Sequence, residues 1–144
     1  MEIEVKIDSA YKEPKVIIIT DKITNEVKSL MDKISENKKL TVFSEEEAII
    51  VEADEIIRIY SENKKVYVQT NHSIYSIRMR LYELEEKLIL NQFIRISQSE
   101  LINRNQIVSM DISLTGTIGV LLKNDIKTFA SRRYVSKIKK QLGI

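Results

Sequence analysis

The segment Phe93-Ile94-Arg95-Ile96-Ser97-Gln98-Ser99-Glu100-Leu101-Ile102-Asn103-Arg104-Asn105-Gln106-Ile107 begins as an alternating strand and breaks off in its middle. Phe93, Arg95 and Ser97 fall on one face and Ile94 and Ile96 on the other, the period-two signature of a strand. The alternation then collapses into Gln98-Ser99-Glu100 before apolar residues resume at Leu101 and Ile102. A polar knot at a strand end has an ordinary reading, a turn that reverses the chain before the aliphatics re-enter the core. Its second reading is a surface kept wet in the free protein and buried against a polar partner. Similar chemistry recurs in FASRRYVSKIKKQL, residues 129–142, where an arginine pair follows a strand-like run.

The rest of the chain bounds the choice. Its 144 residues make about one domain, enough for a real core. A 43% hydrophobic content points to a globular fold, while three Gly and one Pro leave no room for long linkers. No internal repeat is evident. Zero cysteine removes disulfides, thiolate metal sites and thiol nucleophiles, and fits a reducing compartment. No apolar run reaches the roughly 18 residues of a spanning helix. The first residues, MEIEVKIDSAYKEP, alternate charge with aliphatics and lack a signal-peptide block. A cytoplasmic protein is expected.

The net charge of +2 hides an asymmetry. Residues 1–72 hold 11 Lys/Arg against 15 Asp/Glu, whereas residues 73–144 hold 12 against 6. The last 22 residues alone carry 7 basic groups and one acidic. A basic end on a near-neutral chain is the footprint of a polyanion binder, though solvated basic helices are common as well.

Periodicity predicts a β-rich chain with three helical pieces. Ile3, Val5 and Ile7 alternate with charges, and Val16 to Thr20 reads as a short buried strand. Thr20 or Asp21 can cap a helix to Glu36, in which Ile23, Val27, Leu30, Met31 and Ile34 make one stripe, core or dimer surface. Strands follow in LTVFS, AIIVEA, IIRIYS, KVYVQT and SIYSI, with turns at Glu62-Asn63-Lys64 and Asn71-His72. Leu81, Leu84 and Leu88 mark a short helix. FIRIS, IVSMDIS, IGVLLK and IKTFA are further strands, turning at Leu114-Thr115-Gly116-Thr117 and Lys123-Asn124-Asp125. Ser131 can cap a closing helix from Arg132 to Gln141, with Val135, Ile138 and Leu142 inward and Arg132, Arg133, Lys139 and Lys140 largely outward.

The residues argue against catalysis. The lone histidine, His72, sits in a predicted hairpin turn, where a solvated bystander is the common outcome. Phosphate loops, nucleophile elbows and metal-ligand spacings are not found. Glu45-Glu46-Glu47 marks a turn better than a divalent-metal site, since clustered acids there repel and stay solvated. The expectation is therefore a protein that is not an enzyme, with no cofactor, metal or small-molecule substrate.

The ordered set IIRIYSENKKVYVQT, IYSIRMRLYELEEKL, FIRISQSELINRNQI, SLTG and FASRRYVSKIKKQL resembles the LytTR family of bacterial DNA-binding domains. The shared pattern is a polar turn after a strand, a Leu-x-x-Leu helix, Phe-x-Arg-Ile before a short polar triplet, aliphatics and Asn, and Ser-Arg close to a terminal helix. It runs from roughly Lys39 to Leu142. The resemblance implies a mostly β (α+β) fold, about ten strands in small antiparallel sheets with a few short helices. It also implies a sequence-specific transcription regulator that reads the major groove through loops.

Carried over residue by residue, the polar triplet is Ser97-Gln98-Ser99, with Gln98 reading a base and Ser99 donating to phosphate. The helix arginine is Arg133, with Ser131, Arg132 and Lys137 as backbone contacts. Arg95 is a further candidate, with inward pairing to Glu100 as its bland reading. The earlier family loop maps to Asn71 and His72. An amide such as Gln98 can meet adenine N6 and N7, and an arginine can meet guanine O6 and N7. The chain departs from the pattern where the family commonly has His-Arg-Ser and an aromatic. Here Glu100 follows the triplet, and it repels phosphate unless it points away or pairs with Arg95 or Arg104.

Response regulators in the family often carry a receiver domain, which needs on the order of 100 residues or more. Residues 1–38 are too few, so they are expected to form a strand-helix extension for packing or dimerisation, beside a DNA-binding domain at 39–144. The resemblance implies double-stranded DNA with paired direct repeats, a homodimer on it, and a regulatory membrane protein as partner. The alternative is a non-enzymatic interaction module whose basic C-terminal helix docks on an acidic partner.

Overall fold

Short runs of alternating aliphatics build the sheets, and two-residue turns set their order. The computed structural model describes residues 1–34, 39–88 and 92–144. A helix, α1 (Asn25–Ile34), precedes five strands: β1 (Lys39–Ser44), β2 (Glu47–Glu52), β3 (Ile56–Glu62), β4 (Lys65–Thr70) and β5 (Ile74–Ile77). After α2 (Leu81–Lys87) come β6 (Phe93–Ser97), β7 (Glu100–Asn103), β8 (Ile107–Asp111), β9 (Ile118–Leu122) and β10 (Ile126–Ala130), then α3 (Arg132–Leu142). All pairings are antiparallel, in a seven-stranded sheet ordered β2-β1-β5-β4-β3-β7-β6 and a three-stranded sheet ordered β10-β9-β8. The expected mostly β fold with about ten strands is the one found among the described residues.

The large sheet is covered on both faces. Leu40, Val42, Ile59, Val68, Phe93 and Leu101 pack with Leu81, Leu84 and Leu88 of the α2 segment. On the other face Ile57, Ile94, Ile96 and Ile102 meet Ile118, Val120 and Leu122 of the small sheet and Ile138 of α3. The alternation in β6 explains the division: Phe93 serves one core, Ile94 and Ile96 the other. In α3, Val135, Ile138 and Leu142 turn inward as their helical spacing predicts, and Gly143 closes the helix in the left-handed conformation (φ 70°).

Two details join the layers. The β6–β7 register slips between Arg95 and Ser97, and this bulge takes Ile96 out of the ladder. Its carbonyl accepts instead from the Ser131 N–H at 2.9 Å, which ties the start of α3 to the edge of the large sheet. The second detail is Glu100, the residue after the polar knot. It is buried, and its carboxylate accepts from Arg58 Nη1 at 3.3 Å and from the Thr128 hydroxyl at 2.7 Å. Arg58 donates in turn to Gln69 Oε1 at 2.7 Å and lies 4.6 Å from the Tyr60 ring centre. Glu100 therefore points away from solvent, and its cation is Arg58 of β3 rather than Arg95 or Arg104.

The N-terminal segment departs from its expected form. Ile3 to Ile7 and Val16 to Thr20 join neither sheet, and Ile3, Val5 and Ile7 are 90%, 80% and 97% exposed. Val16, Ile17 and Ile19 are exposed too, so the expected buried strand is not one in this single chain. A strand exists through its pairing, and here no neighbouring edge supplies it. The helix starts at Asn25 rather than near Thr20, because Thr24 is the cap, its hydroxyl accepting from the Val27 N–H at 3.3 Å. Ser35 and Glu36 of the expected helix, and the expected boundary at Lys38, lie outside the described residues.

Replacing Glu100 by Ala strips a part-buried guanidinium and a buried hydroxyl of their acceptor. The expected loss is about 2 to 4 kcal/mol of unfolding free energy in urea titration. A loss under about 1 kcal/mol would show that the Arg58–Glu100–Thr128 link does not hold the two sheets together.

Candidate nucleic-acid interface

Strand directions decide which loops meet. β3 runs toward the Asn63-Lys64 turn, and its pairing with β7 (Tyr60 opposite Glu100) sets that turn beside the one joining β6 to β7. The Ser61 N–H donates to the Ser99 carbonyl at 2.8 Å, sealing the two turns together. The Ile96–Ser131 hydrogen bond brings the first turn of α3 to the same end. The β8–β9 loop is there as well, because Ile118 pairs with Ala130, which directly precedes Ser131. Gly116 of that loop has φ +78°, and a Cβ added to it would lie 3.1 Å from Arg132 Nε, so the guanidinium rests against the loop backbone. In the same loop Ser113 donates from its N–H and its hydroxyl to Asp111 Oδ1, at 3.0 and 2.6 Å, holding that carboxyl below the usual carboxylate range.

Gln98, Ser99, Ser131, Arg132 and Arg133 are all exposed at this end. The Gln98 side chain and the Arg133 guanidinium have no protein partner among the described residues. The turn that carries Gln98 is nevertheless well held. Ser99 N–H donates to Ser97 Oγ at 3.2 Å, and the two serine hydroxyls lie 3.2 Å apart. Arg95 sits beneath it with a side chain only 12% exposed, in an ion pair with Glu85 of α2 at 3.3 Å. The other oxygen of Glu85 lies 3.9 Å from Lys137 Nζ. Arg95 is thus engaged inside the protein, and Lys137 is loosely paired on its flank.

Asn71 and His72 are not brought to this surface. They occupy the β4–β5 turn at the opposite end of β3, roughly 20 Å away along a seven-residue strand. There Asn124 Nδ2 donates to the Asn71 carbonyl at 3.3 Å, so Asn71 links the far ends of the two sheets.

The loop that takes their place is Asn63-Lys64, which sequence reading identified only as a turn. Both residues are left-handed, at φ 52° and 65°, the geometry of a two-residue type I′ hairpin. Asn suits its position, but Gly is the common choice where Lys64 stands, so a cation there is held at a local conformational cost. A lysine at a glycine-favouring position was the signal that could have found it. Lys64, Lys65, Arg132 and Arg133 give the end a cationic rim.

This arrangement has relatives. The family model described as the LytTr DNA-binding domain matches residues 46–143. Uncharacterized HTH-type transcriptional regulators of Staphylococcus aureus strains MSSA476 and MRSA252 are 31% and 30% identical over 147 residues, spanning 100% of this chain and 99% of theirs. A solved LytTr DNA-binding domain from Bacillus cereus superimposes with a TM-score of 0.71 at 24% identity, covering 74% of this chain and 97% of that one, and so shares the fold. Despite the relatives' label, no helix-turn-helix occurs among the described residues, since five strands separate α1 from α2 and five separate α2 from α3. By its domain match and its full-length relatives, the chain belongs to the LytTR family.

Proposed function

We propose that the chain is a sequence-specific DNA-binding transcriptional regulator of the cytoplasm, which offers strand-end turns rather than a recognition helix to the major groove. One observation carries this reading: the Asn63-Lys64 turn, the Gln98-Ser99 turn and the start of α3 converge on one exposed, cationic end. Turns at the end of a rigid double sheet can enter a groove about 12 Å wide edge-on. Gln98 offers the paired donor and acceptor that match adenine, and Arg133 the fork that matches guanine. Ser99, Ser131, Arg132 and Lys64 are placed for phosphates, which fix register without reading sequence. Asn71 and His72 are left out of the interface.

The N-terminal segment gives this regulator a route to a homodimer on paired DNA repeats. If two copies of residues 2–8 pair antiparallel about Val5, Ile3 faces Ile7, Val5 faces Val5, and Glu4 faces Lys6. The pairing buries the exposed aliphatic row and sets Glu4 against Lys6 twice on its other face, while Glu2 opposes Asp8 at either end. A second copy of this chain is therefore its proposed occupant.

Three outcomes are expected. On a duplex selected from a random pool, Arg133→Ala loses about 1 to 3 kcal/mol in anisotropy titrations and relaxes sequence preference, with little change on scrambled DNA. Binding to all duplexes alike that disappears with salt would instead leave a basic surface that docks on an acidic partner. Lys64→Gly raises stability by about 1 kcal/mol by relieving the left-handed lysine, yet weakens DNA binding and lowers the salt slope by about one. Unchanged affinity would remove Lys64 from the interface. In sedimentation velocity the full chain is a dimer at micromolar concentration and Val5→Lys, which sets lysine against lysine, a monomer. A monomeric wild type, or a dimeric variant, would refute the strand pairing.

A further inference from the structure

We infer that Arg95 is a positioning residue: it fixes the backbone from which Gln98 is presented and so sets base preference without touching DNA. The inference rests on the proposal that Gln98 reads a base. Arg95 Nε donates to the Ser97 carbonyl and Nη2 to the Gln98 carbonyl, both at 2.6 Å. The third arm, Nη1, is held by Glu85 at 3.3 Å. One planar group thus binds two successive carbonyls of the turn and anchors them to α2, and Lys137 of α3 stands on the far side of the same carboxylate.

The chemistry needs arginine. A lysine ammonium is a point charge on a flexible stem and cannot hold two carbonyls and a carboxylate in one plane. Such short, charge-assisted bonds remove the main freedom of a two-residue turn, which is rotation of its peptide planes. A bidentate amide contact tolerates misplacement of only about half an ångström, and Gln98 reaches its target through a long side chain. Its Cα frame must therefore be fixed before DNA arrives. The same engagement argues against a phosphate role, since three arms of the guanidinium are committed and its side chain is 12% exposed.

A double-mutant cycle in the full-length chain tests this on the selected duplex and a scrambled one, at two salt concentrations. Arg95→Lys is expected to weaken the selected duplex by about tenfold, with preference lost at the base that Gln98→Ala also relaxes. Scrambled binding and the salt slope stay as in wild type. The double variant is no weaker than Gln98→Ala alone, because Arg95 acts only through that turn. Glu85→Gln, a milder change that keeps the arginine, shifts the same preference by about threefold.

Additive losses in the cycle would overturn the inference, as would a salt slope lower by about one, the mark of a phosphate contact. A fall in melting temperature with unchanged base preference in Arg95→Lys and Glu85→Gln would make the cluster a structural strut only. If Gln98→Ala has no effect while Arg133→Ala weakens binding, base reading by Gln98 and this inference fail together and the regulator reading stands. Selection that yields no preferred duplex sinks the regulator reading itself.

Discussion

The structure turns on a carboxylate held out of water between two sheets. Glu100 is tolerable there because Arg58 and Thr128 are both in place to meet it, one from each layer. A charge with two directional partners fixes relative position far more tightly than aliphatic contact, which can slide. Through Thr128 it sets the register of β10 against the large sheet, and β10 leads directly into α3. Where Arg132 and Arg133 stand is therefore inherited from a residue two positions after Gln98. The turn and the helix start, 33 residues apart, are thus coupled through this buried group as well as through the Ile96–Ser131 hydrogen bond.

What could be read from the sequence was local. The β6 strand, the α2 helix, the hairpin turns and the inward face of α3 each rest on a period of two or 3.6 residues, visible within a few positions. The fate of Glu100 was not local, since its partners lie 42 residues before it and 28 after, whereas the sequence offered only the nearby Arg95 and Arg104. The N-terminal segment failed for a related reason. Its alternation is that of a strand, but whether a strand forms depends on an edge to pair with, and within the single chain this segment joins neither sheet.

The earlier loop of the site shows the same limit in sharper form. Asn63-Lys64 and Asn71-His72 are both short polar turns between strands of one meander, so composition does not separate them. Successive turns of a meander lie at opposite ends, and only the register of β3 against β7 says which end holds Gln98. The local clue was chemical. Gly116 obeys the preference of its left-handed position, leaving room for Arg132, whereas Lys64 breaks it. A residue that departs from local preference on a surface with no packing to justify it is more informative than one that conforms.

The basic C-terminus divides along the same geometry. The helix rises 1.5 Å per residue, so Lys139 and Lys140 lie roughly 10 Å along the axis from Arg132 and Arg133. Its inner side is committed to Val135, Ile138 and Leu142 against the sheets, which prevents the helix from lying lengthwise in a groove on that face. Only its first turn shares the end with Gln98. The later lysines sit about a Debye length away at physiological salt, close enough to draw a polyanion in but too far to read it. On the proposed reading, the excess charge that first suggested a polyanion partner divides into two roles. In the proposed complex the arginines at the helix start would supply contact geometry, and the lysines behind them attraction.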